Sequence, residues 1–445
     1  MTDADTRPEI KEGITGMKYN VLVFPAGTEI AFEIRQALKD SKFIKLFGAT
    51  SVPCHADFVF EKCFGVPPID DPNCIYSLNS ITDDYGIDFI YPAHDDVLLH
   101  LTFHQKELKA RVVTSPKPTV MICRDKKKTY RTLEGRDYIP KTWMNVTDIP
   151  DSEYPVFVKP AVGQGSKDAV LVQDRKHLYE IVSDQRDYAI CEYLPGKEYT
   201  VDCFTDRHGK LRYIGQRTRE RIRSGIAVRS QFVRPTDEAV LTIAEDLNKF
   251  FSINGAWFFQ LKEDRKGKLK LLEIAPRIAG TMGLSRNIGV NLPLLTMYNM
   301  WDMDTDIVTN ADNILLLDRA FISRFKSNIE YDTVYVDFDD TLIQDGEVNP
   351  YLIAFLYQSH DKGKRLVLLT KHSGNIFDRL GSHSIDASLF DSIISLKKNT
   401  DKADFISGKS IFIDDSFSER KRVHEKCSIP VFDLDAVESL FDWRA

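Results

Sequence analysis

The stretch VYVDFDDTL, residues 334–342, joins an apolar run typical of a buried strand to three carboxylates. Like charges this close repel each other, and removing them from water is costly unless a cation or a proton compensates them. Asp337 and Asp339 are two positions apart, so on an extended segment their side chains point to the same side. The C-terminal part of the chain must therefore fold around a compensated acidic site, and a divalent cation is the first candidate.

Two further apolar runs in this region also end in polar residues. RLVLLT ends at Thr370, and SIFIDD ends at Asp414 and Asp415. Helical patterns separate the three runs, which predicts strands of a compact α/β domain at residues 332–445. Ligands of open α/β sheets bind at the carboxyl ends of the strands, so we expect these side chains to form one site.

The remaining sequence is long enough for more than one further domain. A chain of 445 residues is too long for one ordinary core, and about 150 residues per domain suggests about three domains. Apolar residues make up 43% and charged residues 28%, as in soluble globular proteins. The net charge of −7 gives no general attraction to nucleic acid or anionic lipid, so we expect neither as a partner.

The cysteines and the first residues indicate the compartment. Seven cysteines are scattered without a CxxC pair, which indicates reduced thiols rather than disulfides or a zinc site. Residues 1–16 are predicted to be a flexible tail, polar and without the apolar segment of a signal peptide. No window reaches the roughly 18 apolar residues of a membrane span. We therefore expect a cytoplasmic protein.

The upstream sequence predicts two domains with different patterns of secondary structure, at 17–115 and 116–312, followed by a linker at 313–331. In the first, YNVLVFPAG and EIAFEIRQALKD form a βα unit, and similar alternation continues as in a doubly wound, Rossmann-like sheet. In the second, strand pairs joined by GQGS, DRHGK and DRKGK predict antiparallel hairpins. The expected fold class is thus a multidomain protein that combines α/β and α+β domains.

The motifs DFDDT, RLVLLT and FIDD, in this order, resemble those of the haloacid dehalogenase superfamily across essentially all of residues 332–445. The resemblance implies a Rossmannoid phosphatase with Asp337 as the nucleophile that forms an aspartyl-phosphate, Asp339 as general acid/base and Thr370 holding phosphoryl oxygens. Thr370 follows Asp337 by 33 positions, too few for a folded cap domain. The implied ligands of Mg²⁺ (or Mn²⁺) are Asp337, Asp339, Asp414 and Asp415.

The same resemblance implies a lysine that helps to neutralise the acidic cluster. The candidates are Lys397, Lys398 and Lys402. Lys402 is favoured because it opens a helix-like segment, KADFI, just before the FIDD strand. The structural alternative for the whole set is that the aspartates merely cap helices.

Three motifs of the middle domain indicate a nucleotide site when they are taken together. KPAVGQGSKDA places Lys159 at a strand end, before a glycine-containing loop whose amides can close over phosphates. ICEYLPGKEYTVD places Glu192 and Glu198 around a strand end suited to an adenine slot and a ribose contact. Gln260 and Glu273 lie on neighbouring strands of a predicted hairpin, where both can reach one Mg²⁺. Separately, each motif is equally compatible with a structural role.

This series resembles the ATP-grasp superfamily over about residues 17–300, including the pre-ATP-grasp domain, in the style of the carbamoyl-phosphate-synthase and phosphoribosylaminoimidazole-carboxylase branches. Its strongest motif is LLEIAPRIAG. The resemblance implies ATP and Mg²⁺ as cofactors, Gln260 and Glu273 as metal ligands, and Arg277 as a catalytic residue. Ala275 stands where many relatives have a metal-binding asparagine. The implied nucleotide contacts are Lys126 or Lys128, Lys159, Gly163, Gly165, Ser166, Glu192, Tyr193, Leu194, Glu198, Arg217 and Arg219.

Two other stretches are candidates for the substrate side of this site. QRTRERIRSGIAVRS has arginines at alternate positions, which would share one face of an extended run and suit a γ-phosphate and a carboxylate. A charged edge strand is the structural alternative. His94, Asp95 and Asp96 follow a strand and are predicted either to border the substrate cleft or to cap a helix. The four arginines are Arg217, Arg219, Arg221 and Arg223.

The function expected from these features is a bifunctional phosphoryl-transfer enzyme. One half would be an ADP-forming ligase that joins a small carboxylic acid to an amine through an acyl phosphate, and the other would dephosphorylate a metabolite. The alternatives are an ATP-grasp kinase, a thioester-forming ligase, or a nucleotide- or phosphate-sensing module with one inactive half. The oligomeric state stays open, although homodimers are frequent among proteins of this resemblance.

Overall fold

The computed structural model describes residues 18–165, 167–183, 186–309 and 316–444. The chain forms two compact units, the first up to Phe321 and the second from Ile322. The first two predicted domains belong to the first unit, and the third belongs to the second. The predicted flexible tail, residues 1–16, lies outside the described residues.

The first unit begins with a five-stranded parallel sheet. Its elements are β1 (Tyr19–Phe24), α1 (Glu29–Leu38), β2 (Ile44–Thr50), β3 (Cys63–Gly65), α2 (Cys74–Tyr85), β4 (Phe89–Pro92), α3 (Asp95–Phe103) and β5 (Arg111–Val112). The strand order is β3-β2-β1-β4-β5. Alternate residues of β1 enter two different cores, with Val21 on one face and Leu22 on the other. The central strand is therefore buried on both faces, which explains its continuous apolar sequence.

The rest of the first unit is mainly antiparallel. Its elements are α4 (Lys117–Arg124), α5 (Lys126–Thr132), β6 (Thr142–Trp143), β7 (Val156–Pro160), β8 (Val170–Val172), α6 (Arg175–Val182), β9 (Tyr188–Glu192), β10 (Glu198–Thr205), β11 (Leu211–Thr218), β12 (Arg221–Arg223), β13 (Ile226–Gln231), α7 (Glu238–Phe250), β14 (Gly255–Glu263), β15 (Leu269–Ala275), α8 (Gly283–Asn287), α9 (Leu292–Met300) and β16 (Leu316–Asp318). Three antiparallel sheets result, in the orders β6-β9-β7-β8, β11-β10-β14-β15 and β12-β13-β16.

Strand β14 is held from both sides. Trp257 and Phe259 pack with Leu247 of α7, whereas Phe258 belongs to the core that also contains residues of α9. This alternation fixes the register of β14 against β15, because a slip by one residue would exchange the side chains that fill the two cores. Strand β16 lies within the segment predicted as a linker, where it pairs with β13 instead of running free.

The second unit is a smaller α/β layer structure. Its elements are β17 (Thr333–Val336), β18 (Ile343–Gln344), β19 (Glu347–Val348), α10 (Pro350–Asp361), β20 (Arg365–Thr370), α11 (Ile376–Ser382), β21 (Ser392–Ser395), β22 (Ser410–Ile413), α12 (Phe417–Cys427) and β23 (Val431–Phe432). The main sheet has the order β21-β20-β17-β22-β23, and every pair in it is parallel. The acidic segment follows central strand β17, and the β18–β19 hairpin and α10 lead from there to β20.

Candidate active sites

A cleft in the first unit lies between the sheet of β7 and β9 and the sheet of β10, β14 and β15. Its lining brings together residues that are far apart in sequence. From the predicted set it contains Lys126, Lys159, Gly163, Gly165, Glu192, Tyr193, Leu194, Glu198, Arg219, Gln260 and Glu273. Predicted Ser166 lies outside the described residues.

Two ammonium groups are held in this cleft by neutral acceptors. Lys159 on β7 donates to the hydroxyl of Tyr130 at 2.7 Å and to the carbonyl of Leu272 at 3.3 Å. Lys126 donates to the carbonyl of Gly163 at 3.0 Å. Burial lowers the pKa of Lys126, and the nearby Glu273 carboxylate opposes this shift. Since the acceptors are uncharged, the positive charge of both lysines remains available for an anion such as a phosphate.

Gln260 and Glu273 are partners in the register of β14 and β15, and both side chains line the cleft. Among the described residues, no hydrogen bond or close ion pair occupies the Glu273 carboxylate. An amide oxygen and a carboxylate on adjacent strands are oxygen ligands of the kind that Mg²⁺ prefers. The donor set therefore fits a magnesium ion, with Ala275 contributing no oxygen from its side chain.

Two glycine turns touch each other beside the cleft. Gly165 and Gly225 have φ angles of 62° and 75°, and a Cβ added to Gly225 would lie 2.1 Å from the carbonyl carbon of Gly165. The carbonyl of Gly225 also accepts a hydrogen bond from Arg219 at 2.9 Å. The β12–β13 turn thus lies directly on the glycine loop. The sequence analysis missed Gly225, for which the Ser-Gly pair between two short strand patterns was the available signal.

Glu198 and Glu192 carry contacts that the sequence did not predict. Glu198 forms ion pairs with Arg219 at 2.7 Å and with Lys262 at 3.5 Å. Glu192 accepts a hydrogen bond from the backbone of Lys141 at 2.8 Å. Both carboxylates still line the cleft. The negative charge of Glu198 is largely neutralised by Arg219 and Lys262, which weakens the case for its predicted ribose contact.

Lys128 and Arg217 do not line the cleft, and of the alternatives Lys126 and Lys128 it is Lys126 that lies there. Lys128 is exposed and its ammonium lies 3.5 Å from Asp125. Arg217 is fully buried and donates twice to Asp202, at 2.8 and 2.9 Å. Alternation along β11 directs its side chain into the protein, which the sequence pattern could not distinguish from the cleft side.

The four alternate arginines do not form one anion-binding face. Strand β11 ends at Thr218 and β12 begins at Arg221, so the extended run that the alternation requires is interrupted. Arg221 pairs with Asp318 at 2.6 Å, and Arg223 stacks on the ring of Phe321. Each arginine therefore has a separate structural partner.

Arg277 is bound by Asp95 at the start of α3. Its guanidinium donates to both oxygens of Asp95, at 2.6 and 2.5 Å. Burial acts to lower the pKa of Arg277, but the Asp95 carboxylate outweighs it and raises the pKa. His94 also caps α3 by accepting from the backbone of Asp96. The predicted catalytic role of Arg277 would require this ion pair to open.

The same segment borders the cleft at two further points. Asp96 pairs with Arg124 at 2.5 Å, and His94 contacts Gln164 of the glycine loop. Asp95 and Arg124 line a recess that also contains Glu273. The segment therefore caps α3, and it also lies at the edge of the cleft. Whether this cleft binds the substrate stays a prediction.

The buried Arg217–Asp202 pair gives a stability prediction. Removing one partner leaves an uncompensated buried charge, so Arg217→Met is expected to lower the free energy of unfolding of the first unit by about 3–5 kcal/mol. Arg265→Met, in the exposed β14–β15 turn, is the matched control and should change it by less than about 0.5 kcal/mol. Denaturant titration followed by tryptophan fluorescence measures this, because Trp143, Trp257 and Trp301 lie in this unit. Equal midpoints for the two variants would contradict the prediction.

The second unit brings its carboxylates together at the carboxyl ends of β17 and β22. Asp337, Asp414 and Asp415 each place one oxygen within 4.8 Å of the others. Lys402, only 2% exposed, lies 2.9 Å from Asp337 and 2.6 Å from Asp414. Three converging carboxylates with one lysine leave net negative charge, which fits a divalent cation.

The electrostatics of this cluster follow from its burial. Burial raises the pKa of Asp337 against the opposing effect of Lys402 and of a hydrogen bond from Thr370. Burial, and then repulsion by Asp337, raises the pKa of Asp414 to about 6. Thr370 is fully buried at the end of β20. The other lysine candidates, Lys397 and Lys398, are exposed.

Asp339 is not part of the three-carboxylate cluster, so the structure does not bring its side chain together with the other predicted metal ligands. Its carboxylate instead lies 2.9 and 3.0 Å from Nδ1 of His372. Strand β17 ends at Val336 and Asp340 has a φ of 55°, so the chain is not extended through Asp339 as the prediction assumed. The sequence analysis did not identify His372, which belongs to no motif of fixed spacing.

The raised pKa of Asp414 predicts a pH-dependent metal affinity. A proton and a cation compete for the same carboxylate, so the affinity for Mg²⁺ should fall as pH decreases through about 6, the pKa of Asp414. Above this value Asp414 is ionised without metal and the dependence should level off. The measurement is the Mg²⁺ concentration that half-saturates the site at Asp414 in the full chain, followed by titration calorimetry across this pH range. A constant half-saturating concentration would contradict the prediction.

Comparison with known proteins shows which fold the first unit resembles. A family model for an ATP-grasp in the biosynthetic pathway with Ter operon matches residues 184–318, which include most of the cleft. No curated protein sequence is significantly similar to this chain. No helix in the described part of the chain is long and apolar enough to cross a membrane.

Solved structures extend the similarity beyond the matched segment. N5-carboxyaminoimidazole synthetase from Staphylococcus aureus, complexed with ADP, is 17% identical at a TM-score of 0.55, covering 66% of this chain and 81% of that chain. L-amino acid ligase from Bacillus licheniformis is 19% identical at a TM-score of 0.50, covering 64% and 74%. The biotin carboxylase domain dimer of Hydrogenobacter thermophilus 2-oxoglutarate carboxylase, in complex with MgADP, ADP and bicarbonate, is 17% identical at 0.53, covering 65% and 71%.

The chain therefore has an ATP-grasp fold over roughly two thirds of its length. This confirms the ATP-grasp part of the predicted fold class. The assignment of the first sheet as a pre-ATP-grasp domain, the phosphatase resemblance of residues 332–445, the predicted domain boundaries and the cytoplasmic location stay predictions.

Proposed function

We propose that the first unit is an ATP-dependent ligase that joins a carboxylic acid to an amine and releases ADP. The observation that carries the proposal is the convergence of Lys126, Lys159, Gln260 and Glu273 in one cleft beside Tyr193. Further support comes from the similar fold of the Staphylococcus aureus synthetase, which is complexed with ADP, and of the Bacillus licheniformis L-amino acid ligase.

The chemistry explains why such a cleft is needed. A carboxylate is a poor electrophile because oxide cannot leave, so transfer of the γ-phosphoryl group to it creates an acyl phosphate with a good leaving group. The amine then attacks the carbonyl carbon, the C–O bond to phosphate breaks, and the amine proton passes to a base or to solvent. Positioning and electrostatic stabilisation supply most of the rate enhancement of such transfers.

Individual residues have distinct tasks in this proposal. Lys126 and Lys159 bind phosphoryl oxygens, and Tyr193 and Leu194 line the base slot next to Glu192. Gln260 and Glu273 would hold Mg²⁺, which when bound neutralises the charge that develops on the transferred group. The β12–β13 turn at Gly225 covers the glycine loop at Gly165. In this proposal that contact excludes water from the acyl phosphate.

The experiment that tests the ligase proposal measures ADP, AMP and phosphate release from ATP and Mg²⁺ with a panel of amino acids, sugar acids and amines. ADP release that depends on an acid and an amine together, with a new amide detected by mass spectrometry, is the expected result. If the product is AMP, a stable phosphorylated acid or a thioester, the ligase proposal is wrong and one of the alternative chemistries takes its place. Nucleotide binding without any turnover would overturn it in favour of a sensor.

We further propose that the second unit is a Mg²⁺-dependent phosphatase. The supporting observation is Lys402 bridging Asp337 and Asp414 beside Thr370. An oxygen of Asp337 attacks phosphorus and the bond to the leaving oxygen breaks, which gives an aspartyl-phosphate. Water then attacks this phosphorus, the bond to Asp337 breaks and phosphate is released. Lys402 and Thr370 hold the nucleophile in place, and a bound Mg²⁺ would supply charge neutralisation.

The two activities are proposed to act on linked metabolites, so that the phosphatase removes a phosphate from a substrate or product of the ligase. Partners are thus a small acid, an amine and a phosphorylated metabolite. Mixing the ligase product, once identified, with the full chain and following phosphate release tests this link.

A further inference from the structure

His372 is held against the proposed phosphatase site by three separate contacts. Its backbone N–H donates to the hydroxyl of Thr370 at 3.1 Å. Its ring packs edge-on against Phe338, with centroids 5.5 Å apart and planes at 74°. Its Nδ1 lies 2.9 and 3.0 Å from the two oxygens of Asp339. The ring orientation is therefore determined by the residues around Asp337, which lies next to Phe338 in the chain.

Asp339 depends on this histidine for its orientation. The Asp339 side chain is 50% exposed, whereas that of His372 is 15% exposed. Across the described part of the chain, His372 is the only side chain that hydrogen-bonds to Asp339. A half-exposed carboxylate without a partner samples several rotamers, and fixing it in one of them lowers the cost of a later proton transfer. Because Asp339 is outside the three-carboxylate cluster, this contact does not compete with a metal ion.

We propose that His372 is a positioning residue that aims Asp339 at the leaving oxygen of the phosphatase substrate. The inference rests on the proposed phosphatase function. As Asp337 attacks phosphorus and the bond to the leaving oxygen breaks, the Asp339 carboxyl gives its proton to that oxygen. As water attacks the aspartyl-phosphate, Asp339 takes a proton from the water and returns to its starting state. Throughout, the Nδ1–H of His372 donates to the Asp339 oxygen that is not transferring the proton.

This assignment fixes the tautomer of His372 and separates it from an ordinary packing residue. The Asp339 oxygen that does not carry the transferred proton accepts hydrogen bonds in both states of the carboxyl, so Nδ1 carries the hydrogen. A residue that merely supported the fold would affect every substrate alike. A residue that aims the proton donor affects most the substrates whose leaving oxygen needs a proton, since a nitrophenolate leaves readily without one and an alkoxide does not.

The test compares two substrates, p-nitrophenyl phosphate and glycerol phosphate, in the full chain with Mg²⁺. His372→Ala is expected to lower kcat/KM, which reports the steps up to departure of the leaving group and excludes the shared hydrolysis of the aspartyl-phosphate, by about 10–100-fold for glycerol phosphate and by less than about 3-fold for p-nitrophenyl phosphate. His372→Asn places an amide N–H near the former Nδ1 and should restore most of the loss. His360→Ala, at the exposed end of α10, is the matched control and should leave both rates unchanged.

A second measurement asks whether His372 acts through Asp339. In an Asp339→Asn background, adding His372→Ala should cause no further loss on glycerol phosphate, because the group that it positions is already absent. Equal slowing of both substrates by His372→Ala, or full additivity with Asp339→Asn, would overturn the inference while leaving the phosphatase proposal intact. Absence of any Asp337-dependent hydrolysis in the unmodified chain would instead overturn the phosphatase proposal, and the inference with it.

Discussion

Asp337→Asn is expected to reduce phosphatase turnover by at least about 10³-fold, because an amide cannot attack phosphorus as a carboxylate does. The cluster should stay folded, since asparagine has nearly the same shape and Lys402 still pairs with Asp414. Loss of one carboxylate also weakens the predicted cation site. Phosphate release from p-nitrophenyl phosphate with Mg²⁺ measures the effect.

The control for this variant is Asp361→Asn, at the exposed C-terminal end of α10, which should keep full phosphatase activity. ADP formation by the first unit should be unchanged in both variants, because the two proposed sites are on separate compact units. If Asp337→Asn removed both activities from a protein that still folds, the independence of the two sites would be wrong.

Glu273→Gln is expected to reduce acid-dependent ADP formation by about 10²-fold or more, since losing a charged metal ligand removes several kcal/mol of transition-state stabilisation. Gln260 would remain as a neutral oxygen ligand in register with the new glutamine. Nucleotide affinity should fall less than turnover, because Lys126 and Lys159 still bind phosphates. Steady-state ADP release and equilibrium binding of a nucleotide analogue separate the two effects.

Glu245→Gln on the exposed face of α7 is the matched control, where the carboxylate lies 3.9 Å from Lys249. Phosphatase activity of the second unit is an internal control for both variants. Undiminished ADP formation in Glu273→Gln would show that the cleft is not where the phosphoryl group is transferred.

The pairing of Gln260 with Glu273 illustrates what the sequence could predict. The DRKGK turn sets the hairpin, and the alternating residues of β14 fill two different cores in one register, so the two side chains must lie side by side. A lysine was implied by the family resemblance, and Lys402 was favoured among three candidates from its place just before an apolar strand. Local pattern is sufficient where turn and strand chemistry determine the geometry.

Arg217 and Asp339 show where that reasoning fails. Alternation along β11 defines two faces but does not tell which one meets the buried Asp202, a partner on the neighbouring strand. Asp339 was placed by assuming a strand that in fact ends at Val336. His372 lies 33 positions from Asp339, and only the parallel pairing of β17 with β20 brings them together. Contacts of this kind depend on tertiary structure that a single sequence does not encode locally.

The contact between the turns at Gly165 and Gly225 has a kinetic consequence. A Cβ at position 225 would lie 2.1 Å from the carbonyl carbon of Gly165, so any side chain there must push the two turns apart. In the proposed ligase, separation of these turns would be a conformational step of the cycle, and its frequency would limit turnover however fast the chemical steps are. A side chain at position 225 would favour the separated state and admit water to the proposed acyl phosphate.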